Sequence, residues 1–370
     1  MSEIILSVRN LHVKFSLRGR ELHALRGIDL DVFDGESLAI VGESGSGKSV
    51  LNKNFIGLLD RNGFIPEGEI RYYGMGDKLR HYEGAGSDEH GSYIDLTKFR
   101  RNEDWLRIRG SEICMIPQDP MTSLNPLKTI GWQIAEALLL HRGMKGRMAY
   151  EEVIRILEDV RIDDPKRRYK QYPHELSGGM RQRVVIAIAI ACNPRILICD
   201  EPTTALDVTI QAQVLNLIRE LKEKYHLTVI FITHDLGVVA NIAERVAVMY
   251  AGDIIEYGTV DEIFYDPRHP YTWALLSSLP QLGVRGEELY AIRGTPPNLF
   301  RQVQGDAFAP RNPQALEIDK LEQPPWFDVS PTHKARTWLL DPRAPKMEPP
   351  AVIRKLKELG QRGGGTDAEG

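Results

Sequence analysis

The hydrophobic positions of this chain change their period along its length. In residues 5–15 and 22–33, apolar and polar side chains alternate, and turn residues bound both stretches. This alternation is typical of antiparallel strands that bury one face. The stretch "GEIRYYG" at residues 68–74 predicts a further strand. The first part of the chain is therefore predicted to form an antiparallel β-subdomain.

A second pattern consists of short, continuously apolar runs. "SLAIV", "EICMI", "RILICD" and "LTVIFIT" end at polar or turn residues, which is typical of buried strands in a parallel sheet. Gly42, the pair Asp200 and Glu201, and His234 follow three of these runs. Because ligands bind at the carboxyl ends of parallel strands, these residues are predicted to meet at one site.

Other periods divide the remaining chain. Apolar residues three and four apart in "IGWQIAEALLLHRG" and "AYEEVIRILEDVRI" predict helices between about residues 119 and 180. Residues 76–92 are polar and glycine-rich, which predicts a surface loop in which His81 and His90 are solvated rather than metal ligands. The charged segment 94–110 is predicted to be helical. The region beyond about residue 265 is rich in proline, and the final "QRGGGTDAEG" is predicted to be mobile.

Composition narrows the class of protein without identifying it. The net charge of −4 and the pI near 6.2 give no general attraction to nucleic acid. Cys114, Cys192 and Cys199 lie in or beside apolar runs, which predicts free, buried thiols in a reducing compartment. No run reaches the roughly 18 apolar residues of a membrane span, and the first residues lack a signal-peptide pattern. Contact with a membrane is therefore expected to go through another protein.

The sequence "GESGSGKS", from Gly42 to Ser49, carries a strong chemical signal. Its glycines let backbone amides wrap a triphosphate, while Lys48 reaches the outer phosphates and the Ser49 hydroxyl is placed for Mg²⁺. An apolar strand precedes it and a helix-forming stretch follows, which is the context that a phosphate loop requires. An incidental glycine-rich turn would leave the acid-tipped strand downstream unexplained.

Residues 174–207 supply the second group of motifs. The turn Ser177–Gly179 leaves free amides at the start of a helix, an arrangement that binds anions. The run "RILICD" then ends at Asp200 and Glu201. Adjacent carboxylates at the end of a buried strand typically hold a metal or accept a proton.

Together these motifs resemble those of ATP-binding-cassette ATPases. "QDPMTSLNP", "SGGMRQR", "DEPTTALDVTIQAQ", "THDLGVVA" and "HPYTWALLSSLP" more narrowly resemble the D-type ATPase subunit of oligopeptide permeases, including the Ami-type importers. The resemblance implies an α/β fold with a RecA-like core, an antiparallel β-subdomain, a helical subdomain at about 119–180 and a proline-rich appendage. The implied boundaries are 1–265 for the cassette, 266–345 for the C-terminal domain and 346–370 for the tail.

The resemblance also implies a role for each polar group of the site. Glu201 would be the general base, and His234 would contact the γ-phosphate and fix Glu201, although a lone histidine at a strand end is usually structural. Gln118 would touch Mg²⁺ or the attacking water, and Lys48 would neutralise phosphate charge. The implied Mg²⁺ contacts are Ser49, Gln118 and, through water, Asp200. The implied ATP contacts are Phe15, Gly42, Ser44, Gly45, Ser46, Gly47, Lys48, Ser49, Val50, Ser177, Gly178, Gly179 and Asp207.

Some positions allow two interpretations or depart from the family pattern. Phe15 reads as a core residue of a strand, whereas the resemblance implies that adenine stacks on it, a contact worth about 1 kcal/mol. Pro117 stands where relatives often have an aromatic residue. Met180 replaces the glutamine that usually follows the "LSGG" turn, which is formed by residues 176–179. The resemblance implies a groove that receives a short helix of the membrane subunit and is lined by Met121, Leu124 and Pro126. The alternative is that these three residues pack locally, as apolar residues beside loops also do.

The "LSGG" turn is not expected to reach the phosphate loop of its own chain. In the implied arrangement, two cassettes sandwich two ATP molecules, each between one phosphate loop and the other subunit's "LSGG" turn, and Asp207 lies at the interface. The expected partners are an F-type ATPase subunit in a heterodimer, two membrane permease subunits and, indirectly, an extracytoplasmic peptide-binding protein. The expected location is the cytoplasmic face of the membrane, and no nucleic acid is expected.

Many relatives carry four cysteines in the C-terminal domain, where they hold an iron–sulfur cluster. The aligned positions in this chain are Asp306, Asn312, Asp319 and Thr337. Without thiolates no cluster is expected. The aromatic residues expected to shape the domain by packing instead are Phe308, Trp326, Phe327 and Trp338.

The function that these inferences favour is ATP hydrolysis that energises the import of oligopeptides by a membrane transporter. ATP binding would close the cassette pair, and hydrolysis would reset it. Import of dipeptides or nickel is an alternative that the motifs scarcely separate, because the ATPase does not touch the cargo. A soluble cassette ATPase of DNA repair or translation is another alternative, although the sequence has no second cassette or basic arm.

Overall fold

The computed structural model describes residues 3–75, 82–203, 206–279 and 292–363. The strands are β1 (Ile4–Leu17), β2 (Arg20–Phe33), β3 (Ser37–Val41), β4 (Gly63–Tyr72), β5 (Ala85–Asp88), β6 (Gly91–Asp95), β7 (Ile113–Ile116), β8 (Ile196–Asp200), β9 (Thr228–Thr233), β10 (Arg245–Tyr250), β11 (Asp253–Thr259), β12 (Phe327–Asp328) and β13 (Lys334–Ala335). The α-helices are α1 (Lys48–Phe55), α2 (Asn102–Leu106), α3 (Pro120–Ser123), α4 (Ile130–Arg142), α5 (Gly146–Asp159), α6 (Pro165–Arg168), α7 (Gly178–Ile190), α8 (Val208–Tyr225), α9 (Leu236–Ile242), α10 (Val260–Tyr265), α11 (Pro270–Ser277) and α12 (Ala351–Gly363).

The alternating stretches form the predicted antiparallel sheet, with the strand order β2-β1-β4-β6-β5. The long strands β1 and β2 pair along their whole length, from Ile4 opposite Phe33 to Leu17 opposite Arg20. The apolar residues of their inward face are fully buried, as at Val8 and Ile28. The prediction of antiparallel strands from the period of two is therefore confirmed.

The continuously apolar runs form the centre of an eight-stranded sheet in the order β12-β13-β11-β10-β3-β9-β8-β7. Strands β10, β3, β9, β8 and β7 are parallel to one another. All residues of β3 and β9 are buried, as expected of a parallel sheet covered on both faces. The carboxyl ends of β3, β8 and β9 therefore lie side by side at one edge.

The prediction of a loop over residues 76–92 is wrong for its second half. Residues 85–95 form the hairpin β5–β6, and β6 extends the antiparallel sheet by pairing with β4. The alternation there was hidden by glycine and serine, because small polar residues at a sheet edge give no hydrophobic period. His90 packs edge-on against Tyr73, with ring centroids 6.3 Å apart. His81 lies outside the described residues.

The predicted helical segment 94–110 is largely irregular. Its α-helix is limited to α2, which follows a short 3₁₀ turn at 96–98. The region 119–180 is helical as predicted, with α4 capped by the Thr129 side chain and ended by Gly143 at a φ of 64°. Within it, Leu124 is 4% exposed and belongs to the core, which agrees with local packing, whereas Pro126 is exposed. The side chain of Met121 lies outside the described residues.

The C-terminal region packs against the parallel sheet. Strand β13 pairs with β11, so the sheet continues into residues far beyond the cassette motifs. Each of the four aromatic residues predicted to shape the domain packs against another ring. The pairs are Phe308 with Tyr271, Trp326 with Tyr257, and Phe327 with Trp338, at centroid distances of 5.4, 5.2 and 6.3 Å.

The predicted tail contains a helix that the sequence analysis did not anticipate. Helix α12 buries Ile353 and Leu356 and packs against α10 and α11. Residues 364–370, the end of the stretch predicted to be mobile, lie outside the described residues. No helix in the described ranges is long and apolar enough to cross a membrane.

The three cysteines are free, as predicted. Cys114 and Cys199 are buried, and burial raises the pKa of the Cys114 thiol to about 12. Cys192 is half-buried and lies 3.4 Å from the carbonyl oxygen of Ala137. Thiols with raised pKa values are poor nucleophiles, so these cysteines act as small apolar residues.

Candidate active site

The loop between β3 and α1 has the conformation that its glycines allow. Gly42, Gly45 and Gly47 have φ values of 152°, 80° and 107°, in the region that favours glycine. A Cβ atom on Gly42 would lie 2.1 Å from the carbonyl oxygen of Met249, and one on Gly47 would lie 2.8 Å from that side chain. Gly42 is therefore required by sterics and Gly47 by its positive φ, and the loop can pass close to β10.

Lys48 is folded into this loop. Its side-chain nitrogen donates to the carbonyl oxygens of Gly42 and Glu43 at 2.6 and 2.9 Å and contacts the Ser46 hydroxyl at 3.3 Å. The residue is 6% exposed. Burial lowers the Lys48 pKa, and the nearby carboxylates of Glu201 and Asp200 partly offset this effect. A buried ammonium group inside a ring of backbone dipoles is well placed for an incoming anion.

Glu201 contacts two other predicted site residues, Gln118 and His234. Its Oε2 atom accepts a hydrogen bond from Nε2 of Gln118 at 2.9 Å, and its Oε1 atom lies 3.1 Å from Nδ1 of His234. Glu201 has a φ of 46°, a left-handed conformation that costs an ordinary residue about 1–3 kcal/mol and is typical of functional sites. The parallel sheet brings these residues together, because β7, β8 and β9 are neighbours that each end at this edge.

Asp200 faces the phosphate loop from the end of β8. Burial and the adjacent Glu201 raise its pKa, while Lys48 and a hydrogen bond from Ser49 lower it. The oxygen atoms of Ser49, Asp200 and Gln118 are hard donors of the kind that Mg²⁺ prefers, and Mg²⁺ in nucleotide sites needs few protein ligands. The donor set therefore fits Mg²⁺, and the glycine-lined loop with Lys48 fits a polyphosphate.

The "LSGG" turn and Asp207 both begin helices. The Ser177 side chain accepts a hydrogen bond from the Met180 amide and caps α7, and the Asp207 side chain caps α8 at Ile210. A Cβ atom on Gly178 would meet no atom within 4 Å. Ser177 and Gly178 are exposed, so the turn lies at the surface, while Asp207 has a local structural role in addition to any contact with ATP.

The remaining predicted nucleotide contacts lie at the edges of the site. Phe15 is only 9% exposed and belongs to the core of the antiparallel sheet, so stacking on adenine stays a prediction. Val50 is half-buried in the first turn of α1. Ser44 and Gly45 are exposed at the tip of the loop.

Three residues hold the loop through contacts that the motifs do not indicate: Glu43, Arg311 and Tyr271. Glu43 binds Arg311 through two hydrogen bonds, and its backbone amide donates to the Tyr271 hydroxyl. These partners lie 268 and 228 positions away along the chain. Glu43 and Tyr271 stand within motifs quoted above, but no local pattern shows that they meet. Arg311 lies in the proline-rich region, which shows few periodic runs.

A phosphate loop, a buried lysine and an acid-tipped strand on a parallel sheet define a nucleoside triphosphatase of the phosphate-loop class. A family model described as ABC transporter matches residues 25–204, and one described as oligopeptide/dipeptide transporter, C-terminal region, matches 255–318. The ATP-binding cassette MJ0796, solved as a dimer in a post-hydrolysis state with ADP and phosphate, is similar with a TM-score of 0.56 and 27% identity, covering 69% of this chain and 98% of that one.

Similarity to curated proteins extends over almost the whole chain. The oligopeptide transport ATP-binding protein AmiE of Streptococcus pneumoniae is 54% identical, covering 96% of this chain and 95% of AmiE. The dipeptide transport ATP-binding protein DppD of Lactococcus lactis is 53% identical, covering 94% of each chain. OppD of Bacillus subtilis, an oligopeptide transport ATP-binding protein, is 51% identical, covering 96% and 94%. The chain belongs to the family of ABC transporter ATP-binding proteins and is an ATPase.

Proposed function

We propose that this ATPase energises the import of oligopeptides by a membrane transporter. The observation that carries the proposal is the site at Glu201, together with relatives that cover 96%, 94% and 96% of the chain. AmiE and OppD are named for oligopeptide transport, and DppD for dipeptide transport. The identity to AmiE and DppD differs by one percentage point, 54% against 53%, so import of dipeptides is the second candidate.

The chain's own residues would divide the work of hydrolysis. Glu201 would accept the proton of the attacking water, because its carboxylate is fixed between Gln118 and His234. Lys48 and the loop amides would hold the phosphates. Ser49, Gln118 and, through water, Asp200 would hold Mg²⁺, which would neutralise phosphate charge when bound. Positioning and charge neutralisation are the main requirements of phosphoryl transfer.

The exposed "LSGG" turn supports a site that is completed by a second subunit. Its amides begin α7, where a helix N-terminus attracts negative charge. In the proposed assembly this turn would face the ATP of an F-type ATPase partner, and Asp207 would lie at the same interface. Two permease subunits would form the peptide path through the membrane, with this chain at the cytoplasmic face and an extracytoplasmic peptide-binding protein delivering the cargo.

The C-terminal region is proposed to hold no iron–sulfur cluster. The four residues at the family's cysteine positions are all buried, and the side-chain oxygen of each accepts a hydrogen bond from a nearby backbone amide. The distances are 2.9 Å for Asp306, 2.9 Å for Asn312, 2.6 Å for Asp319 and 3.3 Å for Thr337. In this chain, side chains that cap turns would thus replace the cross-links that a cysteine-bound cluster supplies in many relatives.

The proposal is tested by purifying the membrane complex through a tag on this chain. Its subunits and the matching binding protein would be identified, and the complex would be reconstituted with Mg²⁺ and ATP. We expect ATP hydrolysis to rise on addition of the binding protein loaded with oligopeptides, and to rise less with dipeptides. The same complex with Glu201→Gln provides the control, because it should assemble but show no stimulated hydrolysis.

Two results would contradict the proposal. If a nickel-loaded binding protein stimulated ATP hydrolysis and peptide-loaded proteins did not, the ATPase would belong to a nickel importer. Purification of the chain without any membrane subunit would favour a soluble cassette ATPase.

A further inference from the structure

Glu43 lies in the phosphate loop, but its side chain binds the C-terminal region. Arg311 donates from Nη1 to Oε2 at 2.7 Å and from Nη2 to Oε1 at 3.1 Å. Two parallel bonds between a guanidinium and a carboxylate fix both the distance and the orientation of the pair. The backbone amide of Glu43 also donates to the Tyr271 hydroxyl at 2.8 Å. The C-terminal region therefore holds one loop residue through its main chain and its side chain.

The same residue is connected to the catalytic lysine. The carbonyl oxygen of Glu43 accepts hydrogen bonds from Lys48 Nζ at 2.9 Å and from the Ser46 amide at 3.2 Å. A displacement of Glu43 would thus move the partners of Lys48 and of a loop amide. Since the amides must point at the phosphates together, the position of Glu43 bears directly on nucleotide affinity.

Arg311 is itself rigidly held. Its side chain is 5% exposed, and its Nε and Nη2 atoms donate to the carbonyl oxygens of Arg293 and Ile292 at 3.0 and 3.4 Å. Nη1 also contacts the Tyr250 hydroxyl at 3.2 Å. Because these partners fix the position of the guanidinium, the Arg311 contact restricts the position of Glu43 and of the loop around it.

The surroundings of the pair are equally well packed. Tyr271 is fully buried, and its ring contacts those of Tyr250 and Phe308 at 4.5 and 5.4 Å. On the other side of the loop, the carbonyl oxygen of Leu299 accepts a hydrogen bond from the His23 amide at 2.9 Å. Leu299, Pro296 and Pro297 line a cleft of about 100 Å³ against the loop tip at Ser44–Ser46.

We propose that Arg311 and Tyr271 are positioning residues of the ATP site. Through Glu43 they keep the phosphate loop in its binding conformation before the nucleotide arrives, so the C-terminal region sets the affinity of the cassette for MgATP. The inference rests on the proposed function, because it concerns the same ATP site. It assigns to the C-terminal region a role within the chain, independent of any partner subunit.

The test compares Arg311→Gln, Glu43→Gln, the double variant and Tyr271→Phe in the full-length chain. MgATP affinity is measured by titration calorimetry, and KM and kcat are measured in the purified transporter complex. We expect Arg311→Gln to weaken MgATP binding about tenfold and to raise KM in proportion, with kcat changed less than about twofold. Tyr271→Phe removes one hydroxyl without changing the ring, so it should act in the same direction by a smaller factor.

The double variant separates positioning from general destabilisation. If both residues act through their mutual contact, the double variant should bind MgATP no more weakly than Arg311→Gln alone. The matched control is Arg343→Gln, because Arg343 makes the same two-bond contact with Asp341 on an exposed surface. This control should leave MgATP affinity unchanged.

Two results would overturn the inference while leaving the proposed function intact. One is unchanged MgATP affinity in Arg311→Gln, and the other is additive losses in the double variant. A wild-type chain that binds no MgATP would instead contradict the proposed function itself.

Discussion

Glu201 illustrates how a single side chain depends on its neighbours for its chemistry. A free carboxylate is a weak base for water, and catalysis requires that its lone pair point at the reacting atom. Gln118 and His234 each bind one of its two oxygens, which restricts rotation of the carboxylate. Sequence motifs identified all three residues, but the motifs do not state which oxygen binds which partner.

Glu201→Gln is expected to lower kcat for ATP hydrolysis by at least about a hundredfold while leaving MgATP affinity nearly unchanged. The amide has the same shape but cannot accept the proton of the attacking water. Single-turnover hydrolysis and equilibrium binding measure the two effects. Glu220→Gln is a suitable control, since Glu220 pairs with Arg161 on the exposed face of α8. Near-normal turnover in Glu201→Gln would exclude Glu201 as the general base.

At the scale of elements, the site depends on where β3 ends and α1 begins. The turn between them must pass within contact distance of β10, which the sequence places some two hundred residues later. Only a residue without a Cβ atom fits at Gly42, where the chain also has a positive φ. The phosphate loop is therefore shaped by a neighbouring strand as well as by its own sequence.

Gly42→Ala is expected to weaken MgATP binding by more than about tenfold, since the added Cβ would lie 2.1 Å from a backbone oxygen and the loop must move. Gly35→Ala is the matched control. Gly35 has a φ of 77° but open space around its Cβ position, so the substitution should cost about 1 kcal/mol of stability without changing affinity. Equal affinities for the two variants would contradict the steric argument.

Over the whole molecule, the C-terminal region is joined to the cassette by buried polar groups as well as by apolar packing. Buried Glu256 on β11 accepts hydrogen bonds from the Arg268 and His269 amides and lies 2.8 Å from His333. His269 is fully buried, and its Nδ1 atom accepts a hydrogen bond from the Tyr271 amide. A buried titratable group makes the free energy of unfolding depend on pH when its pKa differs between the folded and the unfolded chain.

His269→Asn should flatten the pH dependence of stability. Burial lowers the His269 pKa to about 3, so between pH 6.5 and 3 the unfolded chain binds a proton that the folded chain does not. The free energy of unfolding of the wild type should therefore decrease as the pH is lowered through this range, by up to about 1.4 kcal/mol per pH unit from this residue. Asparagine keeps an acceptor for the helix start but does not titrate.

Urea unfolding from pH 7.5 to 5 measures this slope for both proteins. Burial raises the pKa of neighbouring Asp306 to about 7, which gives a contribution of opposite sign: its stabilising effect is lost as the pH rises through 7. Nε2 of His269 lies 3.9 Å from Oδ2 of Asp306, so the difference between the two slopes reports on His269 together with its effect on Asp306. Parallel curves would show that His269 titrates in the folded chain as it does in the unfolded one.

The sequence by itself determined the elements and the chemistry that depend on neighbours along the chain. The period of two, the apolar runs and the octet from Gly42 to Ser49 each specify a local conformation, because strand pairing, burial and glycine dihedrals act over a few residues. The family motifs added the roles of Glu201 and His234. Hairpin β5–β6 was missed because small polar residues conceal its period. Helix α12 does show a helical spacing, at Val352, Ile353, Leu356 and Leu359, which was overlooked beside the low-complexity ending.

Only the tertiary structure decided which distant residues meet. Arg311 contacts Glu43 across 268 positions, and β13 joins β11 although only two residues of it pair. Such contacts depend on how the layers pack and on which buried charges require a partner. No short stretch of sequence contains that information, because each partner taken alone is an ordinary arginine, tyrosine or glutamate.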